Sequence, residues 1–172
     1  MSDAPAMPAG PSLFRQGLWI AALVFLLDQV SKIWILDGLD LPSQPGQNVD
    51  VLPFFSLTMV WNTGVSMGLL KDQGDIARWV LVAFTLGIAG IVVFWLRSAQ
   101  HRLSMIALAF ILGGAIGNIL DRIRFGAVVD FIRLHAFDYS FFVFNIADSA
   151  ISIGVGLLLL EAFLSPSNVS RT

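Results

Sequence analysis

Three aspartates of this chain sit at the ends of apolar runs, each with a polar partner one helical turn away. Asp28 has Ser31 and Lys32, Asp121 has Asn118 and Arg122 beside it, and Asp148 has Asn145. Spacings of three and four place such partners on one helical face. A fourth aspartate, Asp130, lies in the run Val128-Val129-Asp130-Phe131, and apolar neighbours of that kind favour burial and a raised carboxyl pKa. Asp130 and Asp148 are separated by a segment that could return into the bundle and bring them face to face. Two facing carboxylates cannot both ionise, so one keeps a proton while the other stays charged. The ionised group can take a proton from water that attacks a peptide carbonyl; the protonated one can hydrogen-bond the carbonyl oxygen and help the amine leave. Neighbouring Asn and Arg side chains could hold a substrate backbone in register.

The same residues admit a plainer reading. Asp28 with Lys32, and Asp121 with Arg122, could be ion pairs that tie helices together, and the Asn residues could be interhelical hydrogen-bond glue. An ion-coupled transporter also uses intramembrane Asp and Asn, although it should spread polar groups over several depths and show internal repeats. Neither feature is found here. Other chemistries have little to work with. The chain has no cysteine, and its two histidines, His101 and His135, fall in loops at opposite ends of the predicted bundle. They cannot share a metal or complete a triad, and no metal or cofactor is expected. The glycines of Gly113-Gly-Ala-Ile-Gly117 fall within an apolar helix and suit close helix packing.

The elements that must position these groups are membrane helices. Of the 172 residues 56% are hydrophobic and 13% charged, with a mean hydropathy of +0.80. A soluble domain carries about 25% charged residues. The net charge of −2 gives no basic field for nucleic acid. Four stretches are long enough to cross a bilayer as helices, over about 17–36, 76–96, 103–120 and 141–164. Residues 1–14, polar and without a basic start, read as a disordered tail rather than a cleaved leader. Residues 97–102 form a tight loop and residues 121–140 a longer one. The segment 37–75 carries turn residues and then VDVLPFFSLTMVWN, which predicts short strands against the membrane surface. Gly64, Gly68 and Gly74 would permit lid motion over 62–75. All but Asp3 and Glu161 of the 12 acidic residues lie toward the end that carries the long loops. Basic residues do not set the orientation: Arg15, Arg97, Arg102 and Arg171 mark one side, Lys71, Arg78, Arg122, Arg124 and Arg133 the other.

Five motifs in order complete the reading: Asp28-Gln-Val-Ser-Lys32, Asn62-Thr-Gly64, Gly113-Gly-Ala-Ile-Gly-Asn-Ile-Leu-Asp-Arg122, Val128-Val-Asp-Phe131 and Phe144-Asn-Ile-Ala-Asp-Ser149. Together they resemble lipoprotein signal peptidase, also called signal peptidase II, from the first span to the last. The resemblance implies an all-α membrane protein, a bundle of four transmembrane helices with a small extracytoplasmic sheet and short-helix element between spans one and two. It implies an intramembrane aspartyl endopeptidase that removes signal peptides from diacylglyceryl-modified prolipoproteins, cutting before the lipidated cysteine. Asp130 and Asp148 would be its catalytic pair. Asn62, Asn118, Arg122 and Asn145 would bind substrate, and Asp28, Lys32, Asp121 and Gly64 would support the site. It further implies a monomer among membrane lipids in the bacterial cytoplasmic (inner) membrane, with cytoplasmic termini and a site near the outer leaflet.

Overall fold

The computed structural model describes residues 11–64, 74–136 and 139–164. Residues 1–10 of the expected tail and residues 65–73 of the expected lid lie outside the described residues. Four helices are long and apolar enough to cross a membrane: α1 (Pro11–Ile33), α2 (Gly74–Ser98), α3 (Arg102–Phe125) and α4 (Ile146–Leu164). Their outer faces expose large apolar side chains, among them Phe84, Phe94 and Phe163, which a lipid solvent covers without cost. The helices α1, α2 and α4 all pack on α3, the most buried of the four. Their shared core includes Ala21, Val92, Leu96, Leu108 and Leu112.

Small residues set how closely these helices approach. A Cβ on Gly113 would meet the Ala21 carbonyl and Val24 of α1; one on Gly114 would meet the Ala147 carbonyl and Ile151 of α4. Adjacent glycines on α3 thus face different neighbours. Gly154 of α4 completes the contact against Ala107 and Ile111. At the end away from the strands, Ser104 Oγ donates to the Glu161 carboxylate at 2.6 Å, a polar tie between α3 and α4.

After α1 the chain continues through a π-helical turn (Trp34–Gly38) and two 3-10 turns (Leu41–Ser43 and Pro45–Gln47) into β1 (Asn48–Leu52) and β2 (Phe55–Asn62). These join β3 (Val128–Ala136) and β4 (Tyr139–Ser140) in an antiparallel sheet of order β1-β2-β3-β4. Ile35, Leu41, Leu57, Met59, Val129 and Phe131 form a second core beneath it.

The elements differ from the sequence reading in four places. The first helix starts at Pro11, inside the segment read as tail. The third continues to Phe125, so Asp121 and Arg122 are helical; Gly126, at φ 76°, ends it by donating its N–H to the Arg122 carbonyl at 3.0 Å. The stretch after it is a strand of the same sheet as β2 rather than a loop returning into the bundle. The fourth helix starts at Ile146, because residues 141–144 remain extended: Phe141 N–H bonds the Leu134 carbonyl, and Phe144 pairs with Ile132.

Candidate active site

The site is built in two layers at the end of the bundle that carries the sheet. The lower layer is a buried ionic cluster between α1 and α3. The i,i+4 spacing turns Asp28 and Lys32 to one face, where Lys32 Nζ meets Asp28 Oδ2 at 2.8 Å, Asp121 Oδ2 at 2.7 Å and Asn118 Oδ1 at 3.3 Å. Three acceptors match the three ammonium hydrogens. Asp28 and Asp121 are fully buried and Lys32 nearly so, so each charge depends on the others. Gln29 Nε2 donates to Asp28 at 3.1 Å and to Asp121 at 3.2 Å, sharing the negative charge that one lysine leaves over.

The cluster also points outward. Asp28 Oδ1 accepts the Ala147 N–H at 3.0 Å, and Asp121 Oδ2 accepts the Val129 N–H at 3.2 Å. Those two amides immediately precede Asp148 and Asp130. Each supporting carboxylate thereby grips the backbone beside one upper-layer carboxylate. Gly117 makes room for this, since a Cβ there would collide with the Asp28 carboxylate.

In the upper layer Asp130 and Asp148 are joined through Asn145. Asn145 Nδ2 donates to Asp130 Oδ1 at 2.6 Å, and the Asn145 backbone N–H faces Asp148 Oδ2 at 3.4 Å. Asn145 Oδ1 in turn accepts the Asp148 N–H at 2.8 Å. Asn145 and Asp148 are therefore the N-cap and N3 residues of α4, each bonding the other's backbone in a capping box. Asn118, whose Oδ1 faces Lys32, gives its Nδ2 to Asp148 Oδ1 at 2.8 Å. Asn62 Nδ2 reaches Asp130 Oδ2 at 2.9 Å from the end of β2, and the Gly64 N–H closes a turn onto Asn62 Oδ1 at 2.8 Å. Gly64 has φ 75°, a conformation open to glycine, and a Cβ there would press on Leu81 of α2.

The two carboxylates differ in setting. Asp130 is 1% exposed and flanked by buried Val128, Val129 and Phe131, whereas Asp148 is only partly buried at the helix N-terminus. Burial raises the Asp130 pKa to about 6. The like charge of Asp148 adds to the rise, and hydrogen bonds from Asn62 and Asn145, with the Lys32 charge, oppose it. Arg122 bonds the Asn118 carbonyl through Nη1 at 3.3 Å, lies within electrostatic reach of Asp148, Asp130 and Asp121, and has a buried Nε with no hydrogen-bond partner among the described residues.

All ten residues singled out from the sequence therefore meet at one end of the bundle, in one connected set of contacts. One pairing differs: the ion-pair partner of Asp121 is Lys32 across the helix interface, not its neighbour Arg122. Consecutive helical residues point about 100° apart, which keeps them from facing each other. Gln29 was missed, although a buried amide inside an apolar helix is itself a signal. Among the described residues no group of His, Cys, Asp and Glu could hold a metal ion.

Comparison with known proteins identifies the family. Residues 20–164 match the family described as signal peptidase (SPase) II. A lipoprotein signal peptidase of Methylobacterium radiotolerans is 47% identical over 154 residues, covering 89% of this chain and 88% of its own. One from Sphingopyxis alaskensis is 48% identical over 151 residues, covering 87% and 86%. A bacterial membrane enzyme solved by the in meso method at 2.3 Å superposes with a TM-score of 0.74 at 30% identity, over 92% of this chain and 93% of that one. The chain belongs to the signal peptidase II family.

Proposed function

We propose that this membrane peptidase removes signal peptides from diacylglyceryl-modified prolipoproteins, cutting on the N-terminal side of the lipidated cysteine with water activated by Asp130 and Asp148. The observation that carries the reading is the sharing of Asn145: one side chain and its own backbone amide hold both carboxylates in a common site. Their settings divide the work. Asp148 stands at a helix N-terminus within electrostatic reach of Arg122. It takes the proton from water. Asp130, buried and with its pKa raised to about 6, is the group whose protonated form serves the scissile carbonyl and then the leaving amine.

Asn62, Asn118, Asn145 and Arg122 orient this pair and the substrate backbone. Asp28, Lys32 and Asp121 hold the frame, with Gly64 at the entry. No cofactor is required. The enzyme acts as a monomer in the bacterial inner membrane, with cytoplasmic termini and the site near the outer leaflet. A substrate anchored by acyl chains reaches such a site by lateral diffusion, and the helix ends lie shallow enough for water to enter.

The test is cleavage of a diacylglyceryl-modified prolipoprotein by purified protein, with Asp130→Asn and Asp148→Asn run beside wild type after a folding check. Both variants should lose at least about 1,000-fold in kcat, since each removes a group needed in the transition state. Substantial activity in either would remove that residue from the pair. A wild-type protein that never cleaves the lipidated substrate would overturn the proposed substrate.

A further inference from the structure

We propose that Arg78, on the second helix, is a positioning residue that clamps the α3–β3 turn and so sets where Asp130 stands. The proposal rests on the reading of Asp130 as catalytic. The last carbonyls of a helix have no partner within it and need one from elsewhere. At the end of α3 the Gly126 N–H takes the Arg122 carbonyl, and Arg78 Nη2 takes the Ile123 carbonyl at 2.5 Å. The guanidinium lies over the cap itself: a Cβ on Gly126 would stand 3.7 Å from Arg78 Cδ and 3.8 Å from Nη1. Its Cζ stands 5.0 Å from the centroid of the Trp79 ring. A positive charge also complements the negative end of a helix.

The plain alternative is an arginine that reaches up from a helix end toward lipid headgroups. Arg78 is turned the other way. It is only partly exposed, and its Nε is buried with no hydrogen-bond partner among the described residues. Only a few residues separate the carbonyl it holds from Asp130, and Asp121 grips the Val129 amide between them. The turn is thus restrained from three directions, by its own glycine cap, by Asp121 from within and by Arg78 from α2. Among the described residues, this is the hydrogen bond by which an α2 side chain reaches another element. One turn further on, Leu81 packs on Gly64 beside Asn62. The helix therefore braces both strand ends that bear on Asp130.

The test uses the full chain in detergent with a lipidated prolipoprotein, comparing Arg78→Met, Arg78→Lys and Asp130→Asn with wild type. Arg78→Met should lower kcat about 10- to 100-fold, as loss of a charge-assisted hydrogen bond can, with KM within about two-fold of wild type. Hydrogen exchange over residues 123–130 should quicken in the same variant. Arg78→Lys, which keeps a charged donor, should restore most of both. Should Arg78→Met not fold, Arg78→Gln, too short to reach the Ile123 carbonyl, takes its place in the same comparison. Wild-type kcat and exchange in the Met or Gln variant would overturn the proposal. So would a loss confined to KM, which would make Arg78 a substrate contact, or a Lys variant no better than Met. An active Asp130→Asn sinks the catalytic reading whatever Arg78 does. A dead Asp130→Asn beside a fully active Arg78→Met sinks the clamp alone.

Discussion

At the level of single residues, burial and charge conflict at Asp130. It is a carboxyl group almost without solvent, and the hydrogen bonds from Asn62 and Asn145 only partly offset the cost of charging it there. Its pKa rises from 3.8 to about 6, so the folded protein binds this proton more tightly than the unfolded chain does. The contribution to stability is therefore present below the unfolded pKa and is lost as pH climbs through about 6. A rise of that size corresponds to about 3 kcal/mol. Asp130→Asn removes the titration, so its melting temperature should gain on wild type between about pH 4 and about pH 8. The change with pH is the readout, because an amide facing two Asn donors adds a cost that does not depend on pH. A gap that stays flat across that range would mean that Asp130 is not held neutral. The sequence already carried part of this: the apolar flanks of Asp130 announced its burial. It did not show that the Asn-x-x-Asp pair of Asn145 and Asp148 is a capping box, because spacing alone cannot tell a helix N-terminus from a helix interior.

Helices were legible where hydropathy alone defines them, and their ends were not. The third span was expected to stop near Leu120, where charge begins, yet the helix persists to the glycine that can end it. The run Phe141-Phe-Val-Phe144 is apolar enough to join a span, but its backbone is taken by β3. Long-range pairing of this kind leaves little periodic trace in either segment. Packing between helices was readable in outline from Gly113, Gly114 and Gly117, and it yields a sharp contrast. A Cβ on Gly117 collides with the Asp28 carboxylate, whereas Gly87 and Gly90 of α2 have nothing within 4 Å. Gly117→Ala should destabilise the fold by about 1–3 kcal/mol, as overpacking does. It should also cut activity, since Asp28 holds the Ala147 amide beside Asp148. Gly87→Ala should leave activity unchanged and stability equal or raised by up to about 1 kcal/mol. Thermal denaturation and cleavage measured on the two variants decide it; equal effects would mean that Gly117 is not a close-approach site.

Across the whole molecule, polar chemistry is gathered at one end and apolar surface surrounds the rest. The ionic cluster lies in the last turns of α1 and α3, Asp148 in the first turn of α4, and Asp130 in the sheet at the same end. The short link between α2 and α3 lies at the other end. Charge counting could not orient this frame, but the chemistry proposed for it can. A carboxylate pair that consumes water and meets a lipid-anchored substrate on the outer leaflet requires the sheet outside and the 97–102 link inside. The chain has no cysteine, so single introduced thiols report without background. Ser43→Cys, exposed before β1, and Gln100→Cys, exposed in the link, each place a thiol where a reagent can reach it. In spheroplasts a membrane-impermeant maleimide should label Ser43→Cys at once and Gln100→Cys only after lysis, with both variants still cleaving substrate. The reverse pattern would put the carboxylates on the cytoplasmic side. A peptidase so placed could not meet a signal peptide whose lipid anchor lies in the outer leaflet, and the proposed topology and substrate would have to be abandoned together.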